Sequence, residues 1–139
     1  GRTVYGGGGI TPDIFIPLTE YDSTVSKIVN NPKRLPFNWA TNFSKKLDEW
    51  DDLINFTENF IISDLILDEF FNYINNKNLK IKNKLSLEDK NYLKTILKSE
   101  IAGSKWGRSG YYQVFISNDP QVVSAIAYFE EAAQFINFN

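Results

Sequence analysis

The sequence predicts a mainly α, bundle-like helical domain behind a short extended (β) N-terminal arm. Three observations carry that expectation. From Asp22 onward, apolar residues recur at spacings of three and four. Two strong helix-start signals, Ser86 with Asp89 and the run Asn118-Asp119-Pro120, punctuate that stretch. Ahead of it, Gly6 to Gly9 form an unbroken glycine run, and Pro12 and Pro17 bracket an apolar segment. Glycine runs weaken helices through backbone entropy, and proline removes a backbone donor.

The arm comprises residues 1–17 and the helical domain residues 18–139. Within the arm, Ile14, Phe15 and Ile16 alternate between the two sides of an extended chain. Ile10 to Ile16 therefore reads as a short strand, placed at an edge by its prolines. Asp22 or Ser23 then caps a helix with Val25, Ile28 and Val29 on its apolar side, and Asn30, Asn31 and Pro32 end it. Phe37, Ala40, Phe43, Leu47, Trp50 and Ile54 form the stripe of one longer helix. Ile62, Leu65, Ile66, Phe70, Tyr73 and Ile74 form the next stripe, closed by Asn75, Asn76 and Asn78.

Ser86 opens the following helix, whose apolar face is Tyr92, Leu93, Ile96, Leu97 and Ile101. Gly103, Gly107 and Gly110 should loosen the chain after it. Tyr111 to Ile116 suits a short strand or a further helical turn, and the reading favours helix. Asp119 caps a last helix that should bury Val122, Val123, Ile126, Ala127, Phe129, Ala133 and Ile136. The expected core is Phe43, Leu47, Trp50, Ile62, Leu65, Ile66, Phe70, Tyr92, Leu93, Ile96, Leu97, Ile126 and Phe129.

Composition narrows the chemistry. The chain has 139 residues, 42% of them hydrophobic, which is enough for one packed domain with an appendage. It has no Cys, so no disulfide framework, thiol nucleophile or thiolate metal site is available. It has no His, the usual general base near neutral pH and the commonest metal ligand. Catalytic residues, cofactors and metals are accordingly all expected to be none. Met is also absent and the chain opens at Gly1, which reads as an internal or C-terminal piece.

Charge is segregated along the sequence. Asp48 to Glu69 holds eight acids and no base, and Lys77 to Lys98 holds seven lysines against Glu88 and Asp89. The two segments should be neighbours through a short antiparallel connection. Lys90, Lys94 and Lys98 share a helical face, and the bland reading is a solvated one. A net charge of −2 and a lysine stretch without arginine argue against nucleic acid as a partner. No apolar run reaches the roughly 20 residues that span a bilayer, so this chain is not expected to insert into a membrane.

Candidate motifs fail on geometry. The glycine run lacks the Gly-Lys-Ser/Thr of a phosphate loop and the preceding strand of a dinucleotide fingerprint. Ser26-Lys27, Ser44-Lys45 and Ser104-Lys105 are direct neighbours, which point to different sides of a helix and cannot form a dyad. Asp51-Asp52 and Glu130-Glu131 fail likewise as carboxylate pairs. Asn42-Phe43-Ser44 and Asn55-Phe56-Thr57 match a glycosylation acceptor pattern short enough to arise by chance.

One segment carries a family signal. Val4-Tyr5 and the glycines lead into Gly9-Ile10-Thr11-Pro12-Asp13-Ile14, which resembles the end of the catalytic core in C-terminal processing (tail-specific) peptidases. Trp106-Gly107, Tyr111-Tyr112 and Asp119-Pro120 are similar to the helical tail of one branch of that family. The resemblance implies a serine endopeptidase with a Ser-Lys dyad, often with a PDZ domain, working in the cell envelope or periplasm. In that family the dyad precedes the glycine-rich stretch, so both residues would lie upstream of Gly1. Residues 1–17 would then be the last stretch of the core and residues 18–139 a non-catalytic helical extension serving assembly or substrate access. Implied partners are the rest of the peptidase core and, through the parent, protein substrates. The arm's backbone would be satisfied either by folding back along the helices, which would bury Ile14 and Ile16, or by pairing Ile10 to Ile16 with a second copy, and the reading favours such a homodimer. The competing reading is a free-standing helical interaction module unrelated to proteolysis.

Overall fold

The computed structural model describes residues 14–79 and 84–136, and these are mainly α-helical. Seven α-helices are present among them: α1 (Ser23–Val29), α2 (Leu35–Phe43), α3 (Leu53–Asn59), α4 (Asp64–Asn76), α5 (Leu87–Ser117), α6 (Pro120–Ile126) and α7 (Phe129–Ile136). A 3-10 turn, Ser44–Lys46, follows α2. Residues 14–22 run on without helix or strand. The remainder of the expected strand, residues 10–13, lies outside the described residues.

Each helix start has a local cause. The Asp22 carboxylate accepts the Thr24 N–H at 2.7 Å and opens α1. Arg34 adopts a left-handed conformation (φ 48°, ψ 50°) that turns the chain into α2, with Pro36 in the first helical turn. Ser63 caps α4, and Asp119 caps α6 through the N–H groups of Gln121 and Val122. At α5 the expected capping box forms in full: the Asp89 N–H reaches Ser86 Oγ at 3.0 Å, and the Ser86 N–H reaches Asp89 Oδ2 at 3.1 Å.

The stripe from Phe37 to Ile54 does not form one helix. The chain leaves helical geometry at Leu47 (φ −114°, ψ 49°) and restarts at Asp52, whose carboxylate accepts the Asn55 N–H at 2.6 Å. Two forces favour the break. Asp52 supplies a new start in the middle of the stripe, and Lys105 Nζ binds the carbonyl of Leu47. The new register turns Phe56 and Phe60 inward and leaves Ile54 in solvent.

The three glycines near the end of α5 do not loosen the chain; they fold it. Gly107 (φ 72°, ψ −161°) interrupts the helix, and the residues beyond it return along those before it. A Cβ on Gly110 would stand 2.7 Å from Ala102 O and 2.9 Å from Trp106 Cβ. A Cβ on Gly103 would meet Tyr111 Cβ at 3.2 Å. The helical alternative for Tyr111 to Ile116 is thus the observed one, and Val114 is fully buried by this return.

The core lies where α2 packs along α5, closed by α1, α3 and α4. Phe56, Phe70, Ile28, Leu67, Ile74, Leu93, Leu97 and Ile101 are fully or nearly fully buried. Trp39 ties two layers together: it stacks on Phe43 with centroids 4.7 Å apart and meets Phe70 edge-on at 5.5 Å. Of the expected core, Phe43, Leu47, Ile62, Phe70, Leu93, Ile96 and Leu97 are buried, while Trp50, Ile66 and Tyr92 are half-buried.

Three core expectations are corrected. Leu65 is 82% exposed, because α4 begins at Asp64 and turns Leu67, Phe70 and Ile74 inward instead. Ile126 (55% exposed) and Phe129 (67%) face solvent; the last helix breaks at Ala127 and Tyr128, and α5 packs against its first half. Among the described residues, no helix is long and apolar enough to cross a membrane.

Candidate functional site

Among the described residues, residues 16–22 meet α5 and α6 along one seam. Gln121 Nε2 donates to the Ile16 carbonyl at 3.0 Å, joining the arm to the first turn of α6. Tyr21 stacks on Tyr92 of α5, with ring centroids 3.9 Å apart and planes 13° from parallel. The Asp22 N–H donates to Asp89 Oδ1 at 2.9 Å. These three contacts fasten residues 16–22 to both α5 and α6.

A half-open groove follows the same seam. Leu18, Thr19 and Tyr21 form one wall; Tyr92 and Thr95 of α5, with Phe115 and the α6 start, form the other. Its continuation past Glu88, Asn91 and Asn118 holds about 280 Å³. Burial raises the phenol pKa of Tyr21 and Tyr92. Asp89 is held below the ordinary carboxylate range by the Ser86 hydroxyl first, then by the Asp22 and Ser86 N–H groups. Asp22 is lowered by the Thr24 hydroxyl and N–H. These groups position helix ends and offer a surface; none pairs a nucleophile with a base.

The serines singled out in the sequence fall into two environments. Ser26 and Lys27 are exposed on α1. Ser44 and Ser104 come together, with their hydroxyl oxygens 3.1 Å apart between the 3-10 turn and α5. The Ser44 hydroxyl also donates to Thr41 O, and the Lys105 ammonium is directed at Leu47 O rather than at either serine. This cluster fastens α5 to the end of α2. Sequence spacing gave no signal for the Ser44–Ser104 pairing, which spans 60 positions.

The charged segments do meet. Lys94 Nζ and Asp64 Oδ1 stand 2.7 Å apart, and that lysine lowers the Asp64 pKa. Lys98, half-buried and lowered by burial, donates to Thr57 O. Their connection passes through residues 80–83, outside the described residues. Lys46 and Glu69 form a second exposed pair at 2.9 Å. Among the described residues, no three acidic side chains group as metal donors.

Comparison with known proteins gives one family. A family model described as a family of unknown function (DUF8443) matches residues 32–107, more than half of the chain. The matched span runs from just before α2 to the glycine at which α5 turns back. No curated protein and no solved structure matches the chain.

Proposed function

We propose that this chain, which belongs to the DUF8443 family whose description leaves its function open, is the non-catalytic C-terminal region of a carboxyl-terminal processing serine endopeptidase. The observation that carries this reading is the run Gly9-Ile10-Thr11-Pro12-Asp13-Ile14, which resembles the end of such a peptidase's catalytic core. Placement supports it: the residues just after the run are fastened to α5 and α6 by the Ile16, Tyr21 and Asp22 contacts. A core that ended at this arm would be coupled rigidly to the helical domain. On this reading the Ser-Lys dyad lies upstream of Gly1, the parent works in the cell envelope, and the helical domain serves assembly or substrate access.

The test has two parts. The gene sequence immediately before Gly1 should encode a strand-rich domain containing the Ser and the Lys. The parent should cleave an unstructured protein, and residues 1–139 alone should not. An upstream sequence without such a domain would overturn the reading. So would cleavage by the repurified chain that is lost in Ser104→Ala.

A free-standing interaction module is the second reading. The observation favouring it is the exposure of Ile54, Ile61 and Leu65 within the acidic stretch, since exposed apolar side chains mark contact surfaces. The same upstream sequence discriminates between the two. Pairing of two copies through the arm belongs to either reading, and light scattering with and without residues 1–17 tests it. A monomer in both cases rules it out.

A further inference from the structure

We propose that the groove between residues 18–21 and α5 is a binding site for a linear alkyl polyamine, with one ammonium group beside Asp119 and another beside Glu88. This site stands apart from the peptidase reading and does not depend on it.

The groove is continuous. Its two parts, of about 180 and about 280 Å³, share Thr19, Tyr21, Tyr92, Thr95, Asn118 and Pro120. Asp119 lines the first part only, and Glu88 the second only. Glu88, Tyr92 and Thr95 recur at helical spacing on α5, so one face of that helix forms a whole wall. From Glu88 to Thr95 that wall runs roughly 10 Å, at about 1.5 Å of rise per residue. The site is therefore long and narrow, with a carboxylate in each part and two tyrosines in the stretch common to both. Its size suits an alkyl chain with small head groups and is too small for a larger ligand.

The lining identifies the ligand class. Asp119 and Glu88 are its charged groups, and among the described residues no Lys or Arg joins them. Neither carboxylate enters a salt bridge among the described residues. Asp119 Oδ1 accepts the Gln121 N–H at 2.8 Å, while Oδ2 accepts no hydrogen bond among the described residues. The field in the groove is negative: after burial, the charges of Asp119, Glu88 and Asp89 raise the Tyr21 phenol pKa. Lys90 and Lys94, the lysines nearest Tyr92 in sequence, act on Asp64 of α4 instead. Anions are repelled by both parts. A compact divalent metal needs donors grouped more closely, and among the described residues no three acidic side chains are so grouped. Aromatic rings attract ammonium groups and cover the methylenes between them. Charges at separated points on a flexible apolar chain match this lining.

Chemical-shift titration of residues 1–139 with spermidine tests the site. Amides of Thr19, Tyr92, Thr95 and Asn118 should shift together and saturate at millimolar ligand or below. Butylamine, with a single ammonium, should bind at least about tenfold more weakly, because it cannot engage both carboxylates at once. Added salt should weaken spermidine binding through screening. Asp119→Asn keeps a good helix cap and Glu88→Gln changes an exposed side chain. The double variant should melt like the unsubstituted chain and bind spermidine at least about tenfold more weakly. Shifts that never saturate, or that spread over Asp48 to Glu69, reveal a diffuse ion atmosphere and overturn the proposal. Equal affinity for butylamine and spermidine overturns it, as does equal affinity of the substituted and unsubstituted chains. A lysine-rich peptide that binds the groove more tightly than spermidine identifies a protein segment as the occupant and also overturns it.

Discussion

Asp89 Oδ1 accepts the backbone N–H of Asp22 at 2.9 Å, across 67 positions of sequence, while Asp89 Oδ2 serves the capping box of its own helix. One carboxylate therefore holds the start of α5 and the residue that caps α1. Asp89→Ala should lose the bonds to the Ser86 hydroxyl, the Ser86 N–H and the Asp22 N–H together. The expected cost is about 1–3 kcal/mol, read as a lower urea midpoint. The folded-state pKa of Asp89 is lowered, so its contribution is complete above the ordinary carboxylate pKa and fades as pH falls through the lowered value. The substituted protein should show a shallower loss of stability on acidification.

The reversal in α5 makes two glycines irreplaceable for different reasons. Gly107 has open space around its Cα, but its φ of 72° with ψ −161° lies in a region that side chains exclude. Gly110 fails on contact, since a Cβ there would overlap Ala102 O. Gly107→Ala and Gly110→Ala should each destabilise by about 1–3 kcal/mol. Thermal unfolding of both, with Ser109→Ala as an exposed control, checks the expectation.

Phe70 and Leu65 sit five positions apart on α4, one fully buried and one exposed. Phe70→Ala should cost about 3–5 kcal/mol by opening a cavity against Trp39. Leu65→Ala should change stability by no more than about 0.5 kcal/mol. Equal effects in chemical denaturation would contradict the observed rotation of α4.

Burial raises the pKa of Glu100, an effect that the charge of Arg34 offsets in part. A raised pKa means that the folded state holds the proton more tightly than the unfolded state. The ionised side chain then opposes folding above its folded pKa, and that penalty disappears at pH values below the unfolded pKa. Glu100→Gln should therefore be more stable than the unsubstituted chain at neutral pH. The difference should vanish on acidification, as measured by melting temperatures across a pH series.

Helix starts were legible because caps are local. Asp22, Ser86 and Asp119 each satisfy amides within three residues, so sequence spacing contains the whole interaction. The break at Leu47 was less legible, because part of its cause, Lys105, lies 58 positions away. The reversal at Gly107 was half legible: the glycines signalled a departure from regular helix, but not its direction. The groove beside the arm was not legible at all, since Tyr21, Tyr92 and Gln121 are brought together only by tertiary packing.

The sequence by itself determined the mainly α class, the positions at which most helices begin, and the apolar residues available to bury. These depend on periodicity and on hydrogen bonds between near neighbours. The tertiary structure decided which stripe residues are covered. An apolar stripe gains its free energy only where another element meets it. α2 and α5 meet face to face, so Trp39, Leu93 and Leu97 are buried. No described element meets the outer side of α6 and α7, so Val123, Ile126 and Phe129 remain in solvent despite an equally regular spacing.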